Sequence, residues 1–207
     1  MKIYFARHGE SQANVLHEIS NRGLVHGLTR MGFAQALQLA GRLEGRPVVR
    51  IFSSPLLRAV ETSLLISDRL GVQFETADAL REFDCGILEG HSDEAAWKAY
   101  DELVEAWLKH NRQARRFEGG ESLVDIRKRF RPFIDSLVLQ YGKRDVGIVC
   151  VSHGGLYRLM LPELLKNPGI ESVLANGFDM AACLEVESRP EGLFALGWLE
   201  RSGKSPG

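Results

Sequence analysis

Cysteine is scarce in this chain. The 207 residues include three, Cys85, Cys150 and Cys183, an odd number set far apart with no C-x-x-C pair. That spacing excludes a disulfide framework and offers no thiolate site for zinc or redox work, so reduced thiols are expected. Long apolar runs are missing as well. No stretch approaches the roughly 18 apolar residues that mark a membrane-spanning helix, and Arg7 and His8 stand where a secretion signal would need its apolar core. A cytoplasmic protein with no membrane partner is expected. Neither sign of charge prevails: 26 basic side chains face 27 acidic ones, a net charge of −1. This argues against a nucleic-acid partner, because non-specific binding needs a basic excess. Internal repeats, low-complexity segments and the G-x-S-x-G elbow of serine hydrolases are also absent. Gly203-Lys204-Ser205 lacks an upstream glycine at the phosphate-loop spacing.

What is present is an ordinary globular composition, 44% hydrophobic and 26% charged, long enough to bury a sizeable core. Lys2–Ala6 reads as a strand that stops at the polar stretch Arg7-His8-Gly9-Glu10-Ser11. Thr29 reads as the cap of a helix whose apolar positions are Phe33, Ala36, Leu37, Ala40 and Leu43, with Gly45 as its stop. Val48–Phe52 reads as a strand, and Ser53-Ser54-Pro55 as the opening of a helix with Leu57, Val60 and Leu64 on its core side and Gly71 at its end. A short strand is expected over Gln73–Thr76. Residues 93–116 carry a helical stripe of Trp97, Tyr100, Leu103, Trp107 and Leu108 amid many charges. Ser122 and Asp125 form a capping box for a further helix, in which Pro132 should force a kink or break. Val146–Val151 is apolar on both faces, as a covered parallel strand should be. A helix with Leu156, Leu159, Met160 and Leu164 follows, and Ala181–Val186 with Leu193–Leu199 reads as a terminal hairpin.

This alternation predicts an α/β fold: a three-layer sandwich with a central, mostly parallel sheet, helices on both faces and a helical inserted subdomain. Residues 1–200 are expected to form one domain, with the insertion at about 91–120 and a disordered tail over 201–207. In such sheets ligands bind beyond the carboxyl ends of the strands. Three strands end there in residues of chemical interest: Arg7-His8, Ser53-Ser54 with Arg58 one turn on, and Ser152-His153. Two arginines with two histidines make a poor metal site, because guanidinium groups repel the ion and no carboxylate cluster accompanies them. They make a good oxyanion site, since the guanidinium fork matches phosphate oxygens and helix N-termini add N–H groups. A neutral histidine beside a phosphate so held is a nucleophile, and Glu82 is the candidate acid for the leaving oxygen.

These residues carry a resemblance. Arg7-His8-Gly9-Glu10-Ser11 with Asn14, the Ser53-Ser54-Pro55 segment through Arg58, Glu61 and Thr62, Leu80-Arg81-Glu82 through Gly90, Gly119-Gly120-Glu121-Ser122, and Val151-Ser152-His153-Gly154-Gly155 resemble branch one of the histidine phosphatase superfamily. The motifs run in order over about three quarters of the chain. The resemblance implies a phosphoglycerate mutase-like domain and a metal-independent enzyme without a cofactor. It implies that His8 is the phosphorylated nucleophile, that Arg7, Arg58 and His153 clamp the phosphoryl oxygens, that Asn14 donates to them, and that Glu82 is the proton donor. Gly9 and Gly154 would let the backbone approach the phosphate. Ser20 and Asn21 fall where relatives place further substrate contacts, although Glu18-Ile19-Ser20-Asn21-Arg22-Gly23 departs from the usual pattern.

Within the resemblance, a phosphatase of small phosphorylated metabolites is favoured over a cofactor-dependent phosphoglycerate mutase. Such mutases typically carry a tyrosine and a lysine after the glutamate and an arginine pair with a proline run further on. Here Phe83-Asp84-Cys85-Gly86 follows Glu82, and Arg115-Arg116 has no proline run. Cys85 replaces an aromatic residue common in relatives and is expected to reshape the pocket wall. A non-catalytic phospholigand sensor is a third reading, opposed by the intact set of His8, Arg7, Arg58, Glu82 and His153. The basic segment Lys109–Arg116 reads either as a solvated helix end or as a lid over an anionic substrate. His17, His26, His91 and His110 read as surface or loop histidines, and the assembly as a monomer or homodimer.

Overall fold

The computed structural model describes residues 1–170, 174 and 178–199. Six strands, β1 (Lys2–Arg7), β2 (Val48–Ser53), β3 (Phe74–Thr76), β4 (Gly147–Ser152), β5 (Cys183–Arg189) and β6 (Gly192–Trp198), form one sheet in the order β3-β2-β4-β1-β5-β6. The first four run parallel. The terminal hairpin of β5 and β6 is antiparallel and joins the sheet beside β1. Six α-helices surround it: α1 (Gln12–Leu16), α2 (Arg30–Leu43), α3 (Leu57–Leu70), α4 (Glu94–Leu108), α5 (Leu123–Tyr141) and α6 (Gly154–Leu164). Among the described residues no helix is long and apolar enough to cross a membrane.

The period of two along a strand divides the core. On β1, Ile3 and Phe5 join a cluster with Trp107 of α4, Phe130 and Ile134 of α5, and Leu156 and Met160 of α6. Tyr4 and Ala6, on the other face, join Leu39 and Leu43 of α2 and Ala59 and Ile66 of α3. This is the expected α/β sandwich, with the sheet covered on both sides. β4 is buried at all six positions, which explains why its sequence shows no polar alternation.

Several elements differ from the sequence reading. The helix after Pro55 starts at Leu57, with Leu56 at its cap, and it buries Arg58, Ala59, Thr62, Ser63 and Ile66. Leu64, expected inside, is 55% exposed. The inward face of α3 is partly polar because it faces the strand ends, where Thr62 Oγ1 donates to Arg58 O at 2.7 Å and accepts from Gly9 N at 3.2 Å. On α2, Leu39 takes the core place expected of Leu37 and Phe33, both exposed. α5 is not broken at Pro132; it continues on both sides because Phe130 and Ile134 are anchored in the core. α1 and two 3-10 turns, Asp78–Leu80 and Gly86–Leu88, were not expected from periodicity. They are too short to display it. The predicted tail at 201–207 lies outside the described residues.

Candidate active site

Strand register assembles the site. β2, β4 and β1 are neighbours that end together, with Arg7 opposite Ser152 and Val151 opposite Ser53. The next residues remain tied to the sheet: His8 N donates to Ser152 O at 3.0 Å, and Ser54 N to Val151 O at 2.8 Å. His8, Ser54 and His153 therefore follow directly from three adjacent strand ends.

His8 is 3% exposed. Its Nδ1 lies 2.6 Å from Gly9 O, and because a carbonyl only accepts, Nδ1 carries the hydrogen. Nε2 in turn accepts from Arg58 Nε at 3.1 Å. Both contacts select the tautomer with its lone pair on Nε2. Burial above all, then the Arg58 and Arg7 guanidinium groups, holds His8 well below the usual histidine pKa, so the ring is neutral near neutral pH. Arg58, 6% exposed, also donates through Nη2 to Ser20 O at 2.7 Å. Burial lowers its pKa to about 10, which leaves it a cation. Arg7 Nη1 donates to Phe178 O, while its Nε is buried and without a partner.

The ring of His153, 1% exposed, lies 5.0 Å from that of His8. Its Nε2 is 2.7 Å from Ser54 Oγ, and its Nδ1 is buried without a partner. Burial, then Arg58, His8 and Arg7, keeps its pKa well below the usual value. Glu82 sits at the N-terminus of α6, where its Oε2 accepts from Gly155 N at 2.9 Å and its Oε1 from Phe83 N at 3.1 Å. Burial raises its pKa against these N–H groups and the two arginines, which pull it down. Glycine is required beside it: a Cβ on Gly155 would come within 2.8 Å of the Glu82 carboxylate, and one on Gly154 within 3.2 Å of Arg7 Cζ. At Gly9 the crowding partner is instead the Gly32 carbonyl oxygen, 2.4 Å from a Cβ. That glycine admits α2 as well as any ligand.

These groups surround a cavity of about 300 Å³. Arg7, His8, Arg58, Glu82 and Gly154 line it, as do Asn14, Ser20 and Asn21. Asn14 Oδ1 accepts from Ser11 N and Oγ at 3.0 and 2.9 Å, so its remaining polar group is the amide NH₂ donor. His153 is one layer removed and is not part of the wall. Cys85 is not part of it either; it is fully buried in the core, and burial pushes its thiol pKa up. The basic segment also stays away from the wall, with Lys109 paired to Glu105 at 2.9 Å and Arg116 to Asp125 at 3.3 Å. Periodicity missed five wall residues: Trp97, Tyr100 and Asp101 of α4, Arg158 of α6, and Phe178. Trp97 and Tyr100 read as core stripe because an aromatic wall and a core share one helical spacing. Arg158 is four residues from Gly154 and so shares its face, a signal available in the sequence. Among the described residues no group of three or more His, Cys, Asp or Glu side chains is placed to hold a metal ion.

Comparison with known proteins gives a consistent picture. The family model described as histidine phosphatase superfamily (branch 1) matches residues 3–200. A Hydrogenobacter thermophilus protein provisionally named phosphoserine phosphatase 2 is 30% identical over 190 residues, covering 92% of this chain and 91% of that one. A Yersinia pestis protein provisionally named phosphoglycerate mutase is 30% identical over 175 residues, covering 81% and 76%. Among solved structures, a mycobacterial glucosyl-3-phosphoglycerate phosphatase has a TM-score of 0.74 at 26% identity, covering 95% and 97%; that phosphatase has also been solved with inorganic phosphate.

Proposed function

This chain belongs to the histidine phosphatase superfamily, branch 1, and from that premise we propose that it hydrolyses small phosphomonoesters through a phosphohistidine on His8. The observation that carries the proposal is the His8 tautomer: a buried, neutral imidazole whose Nε2 lone pair faces a guanidinium donor. The Arg7 Nε and His153 Nδ1 groups, buried without partners, support it further. An unsatisfied buried donor costs about 1–3 kcal/mol, and phosphoryl oxygens are acceptors that would satisfy both.

The reaction follows from the placement of these groups. A phosphomonoester enters with its oxygens toward Arg7 and Arg58, and Arg58 Nε transfers its hydrogen bond from His8 Nε2 to a phosphoryl oxygen. The freed Nε2 lone pair forms the P–N bond while the P–O bond to the leaving group breaks, and Glu82 gives its proton to the departing oxygen. Ionised Glu82 then takes a proton from water as the water oxygen attacks phosphorus. The P–N electron pair returns to Nε2, and phosphate leaves. The cations stabilise the charge that gathers on the phosphoryl oxygens, a contribution preorganised by the sheet and α6. A mutase would differ only in passing the phosphoryl group to a second substrate hydroxyl instead of water.

The test is hydrolysis of p-nitrophenyl phosphate with a chelator present. Turnover by the native chain, and none above the uncatalysed rate by His8→Ala, supports the proposal. Equal turnover by both proteins removes His8 from the mechanism, and no turnover by either favours the sensor reading.

A further inference from the structure

The cavity wall extends beyond the groups assigned to the phosphate. Arg7, Arg58 and a protonated Glu82 are occupied by the phosphoryl transfer, and Glu18 is paired with His26 at 2.8 Å. Two charged wall residues remain, Arg158 of α6 and Asp101 of α4. Neither has an ion pair or a side-chain hydrogen bond among the described residues, and they do not pair with each other. Their chemistry differs by wall. Arg158 lies one turn beyond Gly154, where a planar fork suits a carboxylate. Asp101 lies four residues beyond Trp97 and next to Tyr100, whose rings meet edge to face at 5.2 Å. A carboxylate beside two aromatic rings is a setting for an ammonium group, which the ring faces also attract.

Resting on the phosphatase reading, we infer that the leaving group is zwitterionic: a small hydroxy compound bearing a carboxylate, held by Arg158, and an ammonium, held by Asp101 with Trp97 and Tyr100. A phosphorylated hydroxy amino acid has this chemistry. Charge balance favours it over its neighbours. A leaving group with only a carboxylate would leave Asp101 unpaired beside a second anion. One with only an ammonium would leave Arg158 without a partner, and a neutral polyol would use neither charge.

The experiment compares kcat/KM for O-phosphoserine, phosphoethanolamine, 3-phosphoglycerate and glycerol 3-phosphate, with p-nitrophenyl phosphate as an independent report of phosphatase activity. O-Phosphoserine should exceed glycerol 3-phosphate by at least about tenfold, the scale of a hydrogen bond to a charged group. Arg158→Gln should cut that ratio and the 3-phosphoglycerate to glycerol 3-phosphate ratio alike. Asp101→Asn should cut the ratios for O-phosphoserine and phosphoethanolamine. A glycerol 3-phosphate rate equal to or above that of O-phosphoserine, or ratios unmoved by both variants, would overturn the inference. If p-nitrophenyl phosphate is not hydrolysed, the phosphatase reading has failed separately. Calorimetric binding of the four esters to the His8→Ala protein then reads the same selectivity without turnover.

Discussion

Glu82 has two opposing duties, and its surroundings balance them. It must hold a proton when the ester bond breaks and release it before water attacks, so its pKa should lie within reach of the working pH. Burial raises it, while two backbone N–H groups and two arginines limit the rise. The sign of the pH dependence follows. Protonated Glu82 is lost as pH rises through its pKa, whereas His8, held well below the usual histidine value, stays neutral on the acidic side. Turnover should therefore be greatest below neutrality and fall toward alkaline pH. Glu82→Gln should slow esters with poor leaving groups by about 10²–10⁴-fold and p-nitrophenyl phosphate much less, because that leaving group needs little protonation. Equal losses on both would show that Glu82 is not the acid.

Among the elements, α6 and the loop around Glu82 set the geometry. Gly155→Ala would place a Cβ 2.8 Å from the Glu82 carboxylate. The carboxylate can swing away at little cost, so we expect kcat to fall at least tenfold while thermal stability changes by less than about 1 kcal/mol. A matching loss of stability would indicate a packing role instead. The segment Gly119–Ser122 acts from the opposite side of that loop. Glu121 Oε2 accepts from Asp84 N at 3.0 Å, and Arg129 holds Glu121 with two hydrogen bonds of 2.8 and 3.0 Å. Glu121→Ala should lower kcat more than it raises KM, and Glu121→Gln should recover part of the loss; an effect confined to KM would place Glu121 in substrate binding.

How legible the elements were depended on what each one buries. β1 and β4 were evident because they bury apolar side chains in simple patterns, and the Ser122 cap of α5 because Asp125 completes its box. The face of α3 was misread because Arg58, Thr62 and Ser63 are buried there for the sake of the site. Apolar periodicity cannot register a polar buried face. The motif residues were read from their order along the chain. Arg158 and Asp101 lie outside every motif, and only the convergence of α4 and α6 on one cavity brings them into view.

At the scale of the whole molecule, a nearly neutral chain gathers its cations at one sheet edge, and stability should register this. His8 and His153 have folded pKa values well below the unfolded value of about 6.5. Below that pH the unfolded chain binds protons that the folded one excludes, so stability should fall as pH drops, by up to about 1.4 kcal/mol per pH unit for each histidine. Glu82, whose folded pKa is raised, contributes the opposite slope, but it is one group against two. Urea unfolding in phosphate-free buffer at pH 7.5 and 5.5 should show the decline, and His153→Gln should flatten it. Stability that rises on acidification would contradict a neutral histidine pair. Activity and stability thus favour opposite ends of the same pH range, a tension that bound phosphate should relieve by neutralising the cations.

The central claim is a covalent bond between His8 and phosphorus. It is tested most directly by rapid acid-free quenching of the chain with a fast-reacting phosphomonoester, followed by peptide mass spectrometry under alkaline conditions that preserve phosphohistidine. The account predicts a phosphoryl group on the peptide containing His8, lost on brief acid treatment and absent from His8→Ala. Turnover with no phosphorylated peptide, or with phosphate on another residue, would contradict it.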